Sequence, residues 1–166
     1  MNLKMLYAVA SVTALLAVEL AFAPEMRPEL AFGLCVYFAF TLSSEETLYL
    51  FILVGLLKDS LSVERFGLFT ALSAASFLFS RFLSKFFTTN ILTLSATYIL
   101  TVIQMRFLYG LHILLNGYSP EGVLSYETTV PAVLRGLALM LPVHLLLEEW
   151  RKERIRKRLY SEGLLE

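Results

Sequence analysis

The strongest constraint on this chain is its division into apolar runs that approach the length of a bilayer crossing, joined by polar turns. The runs cover about Leu3 to Phe22, Leu30 to Leu42, Thr47 to Leu57, Gly67 to Phe87, Ile91 to Asn116 and Val130 to Leu147. About 20 apolar residues in a helix cross the ~30 Å of hydrocarbon, and within hydrocarbon only helices and closed barrels satisfy their own backbone. The predicted fold class is therefore an all-α integral membrane protein with about six transmembrane helices. The second and third runs are short, so either both cross as short or tilted helices or together they form a re-entrant hairpin. Both choices return the chain to the same side. With 57% hydrophobic residues in a chain of 166, the expected organisation is one polytopic membrane domain, residues 1–149, and a basic tail, residues 150–166.

Orientation follows from the basic residues. Trp150 marks the last interface, and Arg151, Lys152, Arg154, Arg156, Lys157 and Arg158 follow it. Basic residues flanking membrane segments stay cytoplasmic, so the tail is placed inside, and six crossings put Lys4, Arg81 and Lys85 inside as well. The outer connections then hold Arg27, Lys58 and Arg65, accompanied by Glu25, Glu29, Asp59 and Glu64. Five crossings would place the N-terminus outside. The basic tail is also expected to attract anionic lipid at ~1 kcal/mol per basic residue. The first run has a basic start and a small-x-small Ala21-Phe22-Ala23 end, like a secretory signal. Pro24 beside the would-be cut, and an apolar core as long as a true span, favour a retained helix.

Within the runs, charged residues are costly and need a partner. Glu19, Asp59 and Arg135 are expected toward the outer half and Arg106 near the middle, where insertion of an arginine costs roughly 2.5–3.5 kcal/mol. One or two ion pairs among Glu19, Asp59, Arg106 and Arg135, with Glu19, Arg106 and Arg135 foremost, are geometrically open, serving helix register, partner docking or a ligand. Two runs carry small residues at helical spacing. These are Ala10, Ala14, Ala17 and Ala21 in the first, and Gly67, Ala71, Ala74, Ala75 and Ser76 in the fourth, each forming a face that a neighbouring helix can approach closely. No catalytic motif, metal-ligand spacing or cofactor fingerprint is present. The lone Cys35 and the separated His112 and His144 read as packing residues. Neither an enzyme nor a nucleic-acid partner is expected.

Between the third and fourth runs lies a short polar hinge, Gly55 to Gly67. Gly55-Leu56, then Asp59 and then Gly67 opening the next helix form a pattern that resembles the rod shape-determining protein MreD family, as do the span layout, chain length and basic tail. Many members carry a further small residue midway between the Asp and the last Gly, where this chain has Val63-Glu64-Arg65. The resemblance implies a non-enzymatic scaffold or regulatory subunit of the bacterial cell-elongation complex, the elongasome, which makes lateral peptidoglycan and maintains rod shape. It would lie in the cytoplasmic (inner) membrane with both termini cytoplasmic. It would bind MreC and, through it, link MreB filaments to RodA and its partner transpeptidase. Gly55, Asp59 and Gly67 are the positions where partner contact is expected, and self-association stays open. The family is also similar in fold to the substrate-binding subunits of energy-coupling-factor transporters, which supplies the alternative: a substrate-binding membrane subunit for vitamin uptake.

Overall fold

The computed structural model describes residues 3–21, 29–62, 66–120 and 126–161. They form six helices and no strand: α1 (Leu3–Leu20), α2 (Leu30–Thr41), α3 (Ser44–Leu61), α4 (Leu68–Phe86), α5 (Ile91–Leu115) and α6 (Tyr126–Ser161). Two helical stretches, Ile91–Leu115 and Thr129–Arg156, are long and apolar enough to cross a membrane.

Helix α2 is the centre of the bundle. It touches each of the other five helices, and most of its residues, from Leu30 through Tyr37 together with Ala39, are buried. Its sequence, Leu-Ala-Phe-Gly-Leu-Cys-Val-Tyr-Phe-Ala-Phe-Thr, is apolar on every side, as a helix surrounded by other helices requires. At 12 residues it is ~18 Å long, short of a full crossing. Phe32 packs on Phe51 of α3, and Phe51 packs edge-on to Phe77 of α4. Gly33 lets α6 close in, because a Cβ there would lie 2.7 Å from the Met140 side chain. One turn further along α6, the buried His144 ring meets the Gly33 carbonyl at 3.2 Å.

The outer surface is the apolar one. Tyr49, Leu78, Phe82, Leu92, Phe107, Leu134 and Leu146, among others, are exposed. The interior holds polar groups, including Thr47, Ser73, Ser76, Ser80, Thr97 and Thr101. An apolar exterior over a partly polar, internally bonded interior suits contact with lipid. The α4–α5 contact shows how: Ser80 and Thr101 share a hydrogen bond of 3.1 Å, and Ser76 donates to Gln104 at 3.2 Å.

Several boundaries differ from the expectation. Helix α3 begins at Ser44, where a capping box between Ser43 and Glu46 starts it, and it continues past Gly55 to Leu61, so the first half of the expected hinge is helical. Val63-Glu64-Arg65 lie outside the described residues. Helix α6 runs through both Pro131 and Pro142 and on into the basic stretch, so the 149/150 boundary falls inside one helix. The side chains of Lys157 and Arg158 are outside the described ones. The small-residue faces also behave differently from each other. On α1 the core takes Ala8, Val12, Leu16 and Glu19, leaving Ala10, Ala14, Ala17 and Ala21 exposed. On α4 the buried face is the serine stripe, Ser73, Ser76 and Ser80, while Ala71 is exposed.

Candidate functional site

A helix end leaves orphan N–H or C=O groups, and in an apolar surrounding each must find a partner. The charged residues of this chain collect where the short helices end. At the start of α2, the Ala31 N–H donates to Glu19 Oε2 across from α1 at 3.3 Å. The other oxygen, Glu19 Oε1, lies 2.7 Å from Lys58 Nζ of α3. Lys58 also pairs with Glu29, the residue preceding α2, and its ammonium stands 4.8 Å from the centroid of the Phe32 ring. Two carboxylates thus flank one ammonium, with a ring face beneath it. Glu19 is 2% exposed, Lys58 12% and Glu29 14%, so the cluster is withdrawn from water and depends on its own pairing. Negative charge at a helix N-terminus is also favoured by the helix dipole.

One residue further along α3, Asp59 faces the opposite way and caps α4. Its carboxylate accepts from the N–H groups of Phe69 at 2.8 Å and Thr70 at 3.0 Å, and from the Thr70 hydroxyl at 2.6 Å. Gly67 precedes the helix with φ of 97°, in the left-handed region that glycine enters freely. Gly55, one turn before Asp59, has no room for a side chain: a Cβ would stand 2.5 Å from Thr70 Cα. The three residues that carry the family resemblance therefore act on one junction. Gly55 brings the α3 and α4 backbones into contact, Asp59 satisfies the start of α4, and Gly67 turns the chain into it. Asp59 is 4% exposed, and its carboxylate is already engaged inside this chain.

At the other end of α2, Arg81 of α4 donates through Nη1 to the carbonyls of Ala39 at 2.5 Å and Leu42 at 3.3 Å, and through Nε to Ser44 Oγ at 2.8 Å. It joins the end of α2 to the start of α3, with the sign the helix dipole favours at a C-terminus.

The charges expected to pair are distributed otherwise. Glu19 pairs with Lys58 rather than with Arg106 or Arg135, because α3 carries Lys58 into the bundle directly opposite α1. Among the described residues neither arginine forms an ion pair, and Arg106 keeps a buried Nε without a hydrogen-bond acceptor. Gly136, beside Arg135, allows the Tyr98 hydroxyl to reach α6, where a Cβ would stand 1.8 Å from it. In the basic stretch, Lys152 pairs with Glu148 at 3.1 Å, and Arg154 stacks on Trp150 with 3.4 Å to the ring centroid. Arg151 is half-buried and Arg156 exposed. Lys58, Glu29 and Arg81 are the site residues that sequence reasoning assigned to connections or orientation alone. The available signal for Lys58 and Asp59 was helical phase, since adjacent residues on a helix point about 100° apart and so reach two different neighbours. In comparisons with known proteins, no family model, curated protein or solved structure matches the chain.

Proposed function

We propose that this protein is a multi-pass membrane scaffold of the bacterial cell-elongation complex. It would cross the inner membrane six times with both termini cytoplasmic, bind MreC, and so link MreB filaments to RodA and its partner transpeptidase. The observation that carries this is the α1 face. Ala10, Ala14, Ala17 and Ala21 point away from the bundle, presenting small residues at close-packing spacing with no helix among the described residues upon them. Small-residue faces are how membrane helices of separate chains approach one another, and a single-span partner such as MreC would supply the missing helix.

Vitamin uptake would use the same alanine face for a different partner, but it also needs polar groups free to receive a substrate. Glu19, one of the few candidates for that role, is already held by Lys58 and the Ala31 N–H.

The test is co-purification of a tagged copy from native membranes in mild detergent, with in-cell cross-linking through a cysteine introduced by Ala14→Cys. Capture of an MreC-like single-span protein through that position is expected. Capture of a membrane subunit with paired ATPases would replace the scaffold with an uptake transporter.

A further inference from the structure

The ends of α1, α2 and α6 on the basic side of the molecule do not close on one another. Between them lies a cleft of about 710 Å³, within the size range of small-molecule sites. Its walls are apolar and aromatic, with Tyr7 and Ala8 from α1, Phe38 from α2 and Leu147 from α6. Its charged lining is of one sign: Lys4, Arg151 and Arg154 border it, and among the described residues lining it there is no carboxylate. The nearby Glu148 of α6 is turned to Lys152 at 3.1 Å. Arg151 has its Nε sealed from solvent without a hydrogen-bond acceptor, and Arg154 is stacked on Trp150, which also lines the cleft.

We propose that this cleft holds one anionic phospholipid, its phosphate against Arg151 and Lys4 and an acyl chain along Ala8, Phe38 and Leu147. The charge complement selects an anion and the apolar walls select one carrying a hydrocarbon chain. The position, at the membrane face marked by Trp150 and the basic stretch, is where a lipid headgroup lies. A guanidinium matches a phosphate through paired N–H donors, and Arg151 is on the lining of the cleft. This occupant is distinct from the diffuse attraction of lipid to the exposed basic residues further along α6, and it is independent of which assembly the protein serves.

Trp150 is the chain's single tryptophan and lines the cleft, so tryptophan fluorescence reports from the cleft's edge. The protein is reconstituted in phosphatidylcholine vesicles containing a minor share of either brominated phosphatidylglycerol or brominated phosphatidylcholine, and quenching is compared. The expected result is a preference for the anionic lipid of about ten-fold. That preference is lost in Lys4→Gln with Arg151→Gln and kept in Lys85→Gln with Arg156→Gln, which removes equal charge outside the cleft. Equal quenching of the unaltered protein by both lipids would overturn the proposal and leave the cleft to a protein segment. Equal loss in both double variants would overturn it in favour of diffuse charge attraction.

Discussion

The two ends of α2 solve one problem in two settings. Its N-terminus is met by Glu19, backed by Lys58 and Glu29; its C-terminus is met by Arg81. In both cases the side chain comes from another helix and has the sign that the helix dipole favours. The settings differ in access to water. Glu19 and Lys58 are almost wholly enclosed, whereas Arg81 is half-buried and bonds the exposed start of α3. A lone guanidinium suffices where water shares the work, and a compensated cluster is needed where it does not. Charge at such positions is thus explained by the helix ends before any ligand is invoked.

Cys35 offers a way to break that comparison. It is the single cysteine, fully buried in α2, so its modification by a thiol reagent in mild detergent measures opening around the central helix. When reclosing outpaces modification, the rate follows the population of the open state. Lys58→Met should have the largest effect, because it leaves Glu19 and Glu29 facing each other without a cation. A loss of about 3–5 kcal/mol raises Cys35 modification by at least about a hundredfold, whereas a rise under about threefold would show the cluster to be dispensable. Asp59→Ala tests a third helix end, that of α4. A loss of about 1–2 kcal/mol is expected from the missing cap, with Asp59→Asn costing less because its amide oxygen still accepts from the Phe69 or Thr70 N–H. Equal effects of the two would mean that charge matters there and capping does not. Arg81→Met should be mildest, at about 1 kcal/mol, since water can reach the carbonyls it leaves. If Arg81→Met matched Lys58→Met, depth would not be what separates the two ends of α2.

Hydropathy made the apolar runs legible, and the observed helices follow them closely except where polar residues belong to a helix. Lys58 and Asp59 look like the end of a run, yet α3 continues to Leu61, and this is what carries Lys58 toward α1 and Asp59 toward α4. Ser43-Ser44-Glu45-Glu46 reads as an acidic turn, but the spacing from Ser43 to Glu46 is that of a capping box, so α3 starts earlier than hydropathy shows. Gly55, Asp59 and Gly67 were visible as a pattern. Their task was not, because it depends on α4 folding back against α3. Pairing of Glu19 with Lys58 was equally hidden: it joins residues 39 apart in sequence, through the shared neighbour α2. On α1 the alanine spacing was legible while the side it faces was not, since the choice of buried face is made by which residues α2 and α3 can accommodate.

The central claim is that Glu19 and Lys58 act as one unit closing the start of α2, and a double-mutant cycle tests it most directly. Cys35 modification rates would be measured for the unaltered protein, Glu19→Gln, Lys58→Met and the combined variant. Coupled residues give non-additive effects of about 0.5–3 kcal/mol. The account predicts the upper part of that range, with the combined variant modified at least about ten-fold more slowly than the product of the single effects. Single effects that multiply to within about two-fold would contradict it, showing that the two residues stabilise the bundle independently.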